Sequence, residues 1–289
     1  MIRSLAAPWL SLSSIMLFVG GCSSSSDAPS SGTFDALTYN VHGLPSVITG
    51  DDTPARMQAI APHLPAFNII GLQEDFDDTN HALLTANSEH IANVRFAEVV
   101  DSDRVYGSGL SVLADYPVVD FKHEHFNDCF GILENSSDCL ASKGFQVVRL
   151  QLGPDESHTL DVYNSHLEAG GGDGDTLARD GQVTQLITAL TGYSEGRAVV
   201  LLADTNMRDT DPADRPLLER LFTETDLLEL CVEVNCLQPG RIDRILFRSS
   251  DAMDLNAEQW WVDERFVSDD NQPLSDHDAI AGTFTWSIR

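Results

Sequence analysis

Ala198-Val199-Val200-Leu201-Leu202-Ala203-Asp204-Thr205-Asn206 is the stretch on which the reading of the fold turns. Its unbroken apolar run is what a strand buried on both faces shows, so a layer of structure is expected on either side of it. The run stops abruptly at Asp204. Asp204 and Asn206 stand at i and i+2, and in an extended segment both side chains point the same way, toward one expected site.

The same layout recurs outward from this strand. Phe34 to Val41 is rich in strand formers and carries Asn40 where the strand yields to the turn His42-Gly43-Leu44-Pro45. Asn68-Ile69-Ile70-Gly71-Leu72-Gln73-Glu74 is an apolar run that finishes on an acid. A buried strand has little reason to end on Glu74 unless the charge has a partner; a metal ion and a solvated loop position are the two readings. Leu160 to His166 ends on an imidazole, and Ile242 to Phe247 carries Asp243 near its start. Leu274-Ser275-Asp276-His277-Asp278-Ala279-Ile280 sets a carboxylate beside an imidazole, between Pro273 and a strand-like run from Ala279 to Trp286. Such a pair can move a proton near neutral pH, hold a metal ion or fix a tautomer.

The intervening segments read as helices, further strands and loops. Thr53-Pro54 offers an N-cap and a first-turn proline to a helix with Met57, Ile60, Ala61 and Leu64 on one face. A helix is expected around Thr79 to Glu89, and strands near Phe96 to Val100, Gly109 to Ala114 and Gly144 to Leu152. His123 to Lys143 has no clear periodicity and reads as a loop or hairpin pinned by a disulfide. Gly170-Gly171-Gly172 leads into a helix whose Leu177, Leu186, Ile187 and Leu190 are expected to face the core. Trp260 and Trp261 fall in a further candidate strand.

The N-terminus carries Arg3, an apolar stretch from Leu5 to Val19, and Val19-Gly20-Gly21-Cys22. This resembles a bacterial lipoprotein signal over residues 1–21, with Cys22 lipidated, residues 22–32 a flexible tether, and the outer membrane of the cell envelope as destination. An ordinary secretory signal is the competing reading. Residues 33–289 are then expected to form one domain, since no internal repeat or second linker interrupts them. The chain of 289 residues holds 17 basic and 45 acidic residues, a formal net charge of -28. That surface repels phosphate backbones, so nucleic acid is disfavoured as a tight partner though allowed as a substrate; it equally suits solubility after export. With Cys22 assigned to lipid, Cys129 with Cys139 and Cys231 with Cys236 suggest two local disulfides out of three possible connectivities. No pattern of Cys and His supports zinc.

In order along the chain, Asn40, Gly71-Leu72-Gln73-Glu74, Asn164-Ser165-His166-Leu167, Ala203-Asp204-Thr205-Asn206, Arg241-Ile242-Asp243 and Ser275-Asp276-His277 resemble the motifs of the endonuclease/exonuclease/phosphatase superfamily. The resemblance runs from Leu37 to Ile280. It implies a four-layered α/β sandwich, two mixed sheets face to face with helices outside, and phosphoester hydrolysis with a divalent cation, magnesium first and manganese or calcium next. It further implies Glu74 as principal metal ligand with Asn40 beside it and Asp276 as a second candidate. Asp204 would orient or deprotonate the attacking water, Asn206 hold a phosphate oxygen and His166 stabilise the phosphate. His277 would be the catalytic histidine, with Asp243 orienting it. Two departures stand out: Ala203 and Thr205 replace the usual glycine and phenylalanine, and His42 stands where nuclease members often place an acid. Oxygen ligands fit magnesium, manganese or calcium better than zinc on chemistry alone.

Within the superfamily, Asp138-Cys139-Leu140-Ala141-Ser142-Lys143-Gly144 resembles the Lys-Gly segment that opens a strand in bacterial sphingomyelinases, which places Lys143 near the phosphate; a solvated loop lysine is the alternative. Trp260 and Trp261 lie roughly where secreted sphingomyelinases carry an aromatic membrane-touching hairpin, though core packing is the commoner fate of such residues. The expectation is a monomeric phosphodiesterase acting on phospholipid at a membrane to which the lipid anchor holds it. An exported endonuclease is the alternative, and a non-catalytic binding lipoprotein a distant third, since such a protein would be expected to lose one or more of these site residues.

Overall fold

The computed structural model of the chain describes residues 29–100, 104–131 and 135–289. The expected signal segment, Cys22 and most of the tether lie outside the described residues. Strand β1 (Ser31–Asn40) takes in Ser31 and Gly32, the last two residues assigned to the tether. The strands continue as β2 (Ile69–Gln73), β3 (Ala92–Phe96), β4 (Leu110–Ala114), β5 (Val118–His125), β6 (Gly144–Gln151) and β7 (Thr159–His166). Then come β8 (Ala198–Asp204), β9 (Leu228–Glu229), β10 (Asp243–Arg248), β11 (Met253–Val262) and β12 (Ile280–Ile288). The helices are α1 (Ser46–Thr49), α2 (Thr53–Ile60), α3 (Asp78–Leu84), α4 (Asp173–Gly192), α5 (Arg215–Thr225) and α6 (Leu230–Glu233).

One sheet runs β11-β12-β1-β2-β4-β3 and the other β5-β6-β7-β8-β10-β9. Both are mixed: β1 and β2 are parallel at the centre of the first, β7 and β8 at the centre of the second, and the remaining pairs are antiparallel. The sheets pack face to face, with β1 across from β8 and β2 across from β7. Helices α2 and α3 cover the outer face of one sheet over Met57, Ile60 and Leu84, while α4 and α5 cover the other over Leu186, Leu190 and Leu221. This is the expected four-layered α/β sandwich. Its logic is visible within β8, where Val200 and Leu202 enter the core between the sheets and Val199, Leu201 and Ala203 the core beneath the helices. A continuous apolar run is what this double burial demands.

The layer between the sheets changes from apolar to polar along the central strands. Phe34 and Ala36 of β1, Leu160 and Val162 of β7, and Val200 and Leu202 of β8 lie in its hydrocarbon part. Two residues further on, the same alternation brings Thr38, Asn164 and Asp204, all buried. Buried polar groups persist only when bonded, and here they bond across the layer. Gln73 Nε2 donates to Asn164 Oδ1 at 2.7 Å and to Thr38 Oγ1 at 3.1 Å. Asn164 Nδ2 donates to the carbonyls of Leu72 at 2.8 Å and Ser111 at 2.9 Å, both in the opposite sheet. Gly71 permits this approach: a Cβ there would stand 2.8 Å from that of Leu202 and 3.1 Å from Asn164 Oδ1.

Several local expectations need correction. The cap of α2 is Asp52, whose side chain accepts from the Ala55 amide, while Thr53 enters the helix and is buried, donating to the Leu44 carbonyl. The expected helix to Glu89 stops at Leu84, ahead of the turn formers Thr85, Asn87 and Ser88. The strand expected near Phe96 to Val100 lies earlier, at Ala92–Phe96. Leu177 is 72% exposed; it precedes Leu186 by nine residues, which at about 100° each is about half a turn off the buried face. Within the segment read as loop, β5 extends to His125 as a mostly exposed edge strand, so no buried face imposes an apolar period on it. Both local disulfides are present, Cys129–Cys139 and Cys231–Cys236, with Cα separations of 5.4 and 4.9 Å. Trp260 and Trp261 belong to the ten-residue β11 rather than to a protruding hairpin, Trp261 lying against Phe67.

The clasp between the sheets sets a stability prediction. Asn164→Leu strips partners from the Leu72 and Ser111 carbonyls and the Gln73 amide, and is expected to cost about 3 kcal/mol or more. Urea unfolding would show it as a lowered midpoint; a loss under about 1 kcal/mol would mean the clasp is not needed.

Candidate active site

The parallel strands β1 and β2 of one sheet, and β7 and β8 of the other, deliver their C-terminal ends to one rim, and β10 begins there. Asn40 closes β1, Glu74 follows β2, His166 closes β7, Asp204 closes β8, and Asp243 opens β10 directly opposite Asp204 in register. The residues just before β12 lie beside Asn40, because Ile280 pairs with Thr38 and Ser275 Oγ donates to the Asn40 carbonyl at 2.7 Å. Strand pairing thus gathers residues far apart in the chain.

Their contacts form one network. Asn40 Nδ2 donates to Glu74 Oε1 at 3.1 Å and to Asp204 Oδ2 at 3.0 Å, and lies 3.5 Å from His277 Nε2. The other nitrogen of His277, Nδ1, is 2.9 Å from Asp243 Oδ2, whereas its sequence neighbour Asp276 makes no bond to the ring and is 62% exposed at the cavity. Asp276 meets His42 Nδ1 at 3.3 Å, and the same nitrogen lies 3.9 Å from Glu74 Oε2. His42 therefore bridges the two carboxylates expected to share a metal ion. Asp204 Oδ2 is 3.3 Å from His166 Nε2 and 3.7 Å from His277 Nε2. Lys143 is buried rather than solvated, its ammonium 3.1 Å from His166 Nε2 and 2.9 Å from the Leu167 carbonyl.

Asn206 reaches the site by a different route from the one expected. Strand geometry ends at Asp204, and Asn206 adopts a left-handed backbone with φ of 50°, its amide donating to Asp204 Oδ1 at 3.0 Å and its side chain to the Leu167 carbonyl at 3.0 Å. It lines the cavity, but not by alternation with Asp204. His42 and Glu74 are also left-handed, with φ of 48° and 59°. Three strained residues that follow strand ends at one rim match the clustering of backbone strain at functional sites.

Arg56 was not singled out in the sequence. From α2 it donates to the carbonyls of Val41, His42 and Leu274 at 3.0, 2.7 and 2.9 Å, tying the loop after β1 to the loop before β12. The available signal was its isolation as the sole Lys or Arg between Thr33 and Val94.

His42, Glu74, Lys143, His166, Asp204 and His277 line a cavity of about 450 Å³, whose lining also includes Leu44, Ile48, Phe76, Tyr106 and Leu140. Its electrostatics are divided. Burial pushes the Glu74 carboxyl above its ordinary range, against the Asn40 bond and the Lys143 charge. Burial has the same tendency at Asp204, but the His166 and His277 imidazoles, Asn40 and Lys143 outweigh it and hold that carboxyl low. Burial and then the Lys143 ammonium depress His166 to about 3, so it is neutral. Burial opposes charge on His277 too, yet the bond to Asp243 and the surrounding carboxylates raise it to about 10.

Glu74 and Asp276 fit a hard cation. Both are carboxylates facing the cavity with only an imidazole between them, and Glu74 is held in a place where burial disfavours its bare charge. Asp204, Asp243 and His277 also converge within 4.8 Å, but His277 Nδ1 is already committed to Asp243, which makes them the less available set.

This sandwich, with its rim of Asn, Glu, His and Asp at the strand ends, defines a family: residues 37–277 match the endonuclease/exonuclease/phosphatase family, and the chain belongs to it. A curated sphingomyelinase of Mycobacterium tuberculosis is 26% identical over 273 residues, covering 87% of this chain and 53% of that protein. The chain thus spans about half the length of the curated relatives it matches. Among solved structures, sphingomyelinase C from Streptomyces griseocarneus is similar at a TM-score of 0.65 and 17% identity, over 87% of this chain and 99% of that one. A Staphylococcus aureus beta toxin mutant with bound magnesium ions is similar at a TM-score of 0.60 and 12% identity, over 89% of this chain and 100% of that one. At such identities these structures speak for the fold.

The raised His277 pKa makes a signed prediction for chelator-treated protein. Its folded value exceeds the ordinary imidazole value of roughly 6.5, so the contribution of its charge is lost as pH rises through about 10, while burial raises its partner Asp243 to about 7, so both charges of the pair are present only between those two values. The difference in thermal midpoint between wild type and His277→Gln should be widest between about pH 7 and about pH 10 and shrink above that window. A difference that keeps growing above about pH 10 would show that the imidazole charge does not carry it.

Proposed function

We propose that the protein is a divalent-metal-dependent phosphodiesterase that cleaves phospholipid, with a sphingomyelinase or phospholipase C type of specificity. The observation that carries the proposal is the convergence of Asn40, Glu74, His166, Asp204, Asp243 and His277 on one cavity rim. Phosphodiester hydrolysis needs a water aligned with the leaving oxygen and positive charge or donors around the equatorial oxygens. A divalent cation, magnesium by preference, would be held by Glu74 and Asp276 with Asn40 alongside, and would supply charge neutralisation at a phosphate oxygen. Asp204, kept ionised by its neighbours, accepts a hydrogen bond from the attacking water and can take its proton. His277, charged and oriented by Asp243, donates to the phosphoryl group from Nε2. The Asn206 amide and the charge of Lys143 stabilise the remaining oxygens, and neutral His166, accepting from Lys143 at Nε2, holds that charge beside the phosphate site.

The choice of lipid over nucleic acid draws on the net charge of -28, on the apolar wall of the cavity and on the curated sphingomyelinase relatives. The proposal includes export, a lipid anchor at Cys22 in the outer membrane and action as a monomer. Among the described residues, no helix is long and apolar enough to cross a membrane.

Hydrolysis of sphingomyelin, phosphatidylcholine and plasmid DNA by the same preparation tests this reading. Magnesium-dependent release from lipid, abolished by chelator and restored by the ion, is expected, with Glu74→Ala and His277→Ala each losing on the order of a hundredfold or more in kcat. Efficient nicking of DNA with inert lipid would sink the lipid assignment, and wild-type turnover in either variant would sink the site.

A further inference from the structure

The residue after Glu74 is a second buried acid that takes no part in the roles above. Glu74 and Phe76 both line the cavity, while Asp75 between them does not, its side chain being fully buried. Three elements hold it. From β4, Ser111 Oγ donates to Asp75 Oδ2 at 2.5 Å, and from α3, His81 Nδ1 lies 2.5 Å from the same oxygen. From β3, Arg95 Nη2 donates to the Asp75 carbonyl at 3.0 Å, with Nε 3.7 Å from Oδ2. The Asp75 amide donates in turn to the Gly109 carbonyl at 2.9 Å. A serine, a histidine and an aspartate in contact suggest a nucleophilic triad, but here both partners address the carboxylate and Ser111 is buried, so no base meets a nucleophile.

What this anchorage fixes is the residue before it. Glu74 has a left-handed backbone, with φ of 59°, which a residue bearing a Cβ avoids unless its surroundings over-determine it. The walls around its main chain are close: a Cβ on Gly43 would stand 2.3 Å from the Glu74 carbonyl oxygen, and one on Gly109 3.2 Å from its Cα. On the N-terminal side, the pairing of β2 with β1 ends at Gln73. Past Glu74, the first anchored residue is Asp75. We infer that Asp75 is a positioning residue, clamped by Ser111, His81 and Arg95, that locks Glu74 in its left-handed conformation and so presents the Glu74 carboxylate to the cation. Holding a ligand's backbone acts on metal affinity as an outer partner of a ligand's side chain does. The inference rests on the metal role proposed for Glu74.

Calorimetric titration of the full chain with magnesium tests this without recourse to turnover. Asp75→Asn keeps size and shape but loses the charged acceptor that Ser111 and His81 share; it is expected to weaken magnesium binding by about tenfold. In hydrolysis of bis(p-nitrophenyl) phosphate, the half-saturating magnesium concentration should rise by the same factor, with kcat at saturating ion changed by less than about threefold. Asp161 controls for burial alone: its side chain is equally buried, bonded by Arg149 Nε at 2.6 Å and Ser194 Oγ at 2.6 Å. Asp161→Asn should lower the thermal midpoint and leave magnesium affinity unchanged. Should Asp75→Asn not fold, Ser111→Ala and His81→Gln each remove one grip and keep the carboxylate, and a loss of about threefold apiece is expected. Wild-type affinity in the Asp75, Ser111 and His81 variants, an equal loss in Asp161→Asn, or a wild type that binds no magnesium would overturn the inference. A wild type that binds magnesium and hydrolyses no phosphodiester would sink the functional reading and leave the calorimetry to decide on Asp75.

Discussion

The two sheets meet across a layer that changes character along its length, and everything at the rim depends on that change. Where Phe34, Val162, Val200 and Phe284 meet, the layer is hydrocarbon and holds the sandwich together by burial. Further along, Gln73 and Asn164 replace apolar contact with hydrogen bonds that cross from sheet to sheet. Beyond them stand Asn40, His166 and Asp204. An abrupt boundary between hydrocarbon and charge would leave these groups without bonded support; the amide layer supplies it and fixes the spacing of the strands that carry them. Strand alternation places all of this on one face of each strand, so the polar layer and the site are successive steps of one periodicity.

The rim then works as a charge balance in a confined space. Asp204 and Asp243 are buried carboxylates, and Glu74 is nearly so. Against them stand the His277 imidazole and Lys143, with Asn40 donating between Glu74 and Asp204. Burial opposes charge on both histidines. At His166 the Lys143 ammonium adds to it and the ring loses its proton, whereas at His277 the bond to Asp243 overrides it and the ring keeps its proton. One fold therefore holds a neutral and a charged histidine within reach of a single carboxylate, which is how groups of one kind are given different tasks.

Much of this was legible in the sequence, for a definite reason. A strand buried on both faces needs an unbroken apolar run, so an acid, amide or imidazole at its end stands out; Asn40, Glu74, His166 and Asp204 were found at strand ends, and Asp243 near the start of its strand. The acid beside the imidazole before β12 was legible too, and Asp243 rather than Asp276 proved to be the partner of His277. Contacts made through backbone carbonyls left no such trace. Arg56 binds three carbonyls of two loops distant in sequence, and no side-chain pattern records that. The edge strand β5 escaped because solvent on both faces removes the period by which strands are recognised. Asn206 was assigned to the site by an alternation that does not extend past Asp204; a left-handed turn brings it there instead.

The distribution of positive charge bears on what such a rim can receive. Among the described residues that line the cavity, Lys143 is the sole Lys or Arg, and its protons are already directed at Asp138, Leu167 and His166. Arg56 is spent on carbonyls behind the cavity and not on its surface. A long phosphate backbone gains affinity from several cations arrayed along it, each releasing a counterion, and this rim offers no such array. A single phosphodiester with an apolar body asks for less: neutralisation at one phosphorus, and a wall such as Phe76, Tyr106 and Leu140 to cover what lies beside it. The scarcity of cations and the apolar lining are therefore the two features of the cavity on which the proposed lipid specificity rests.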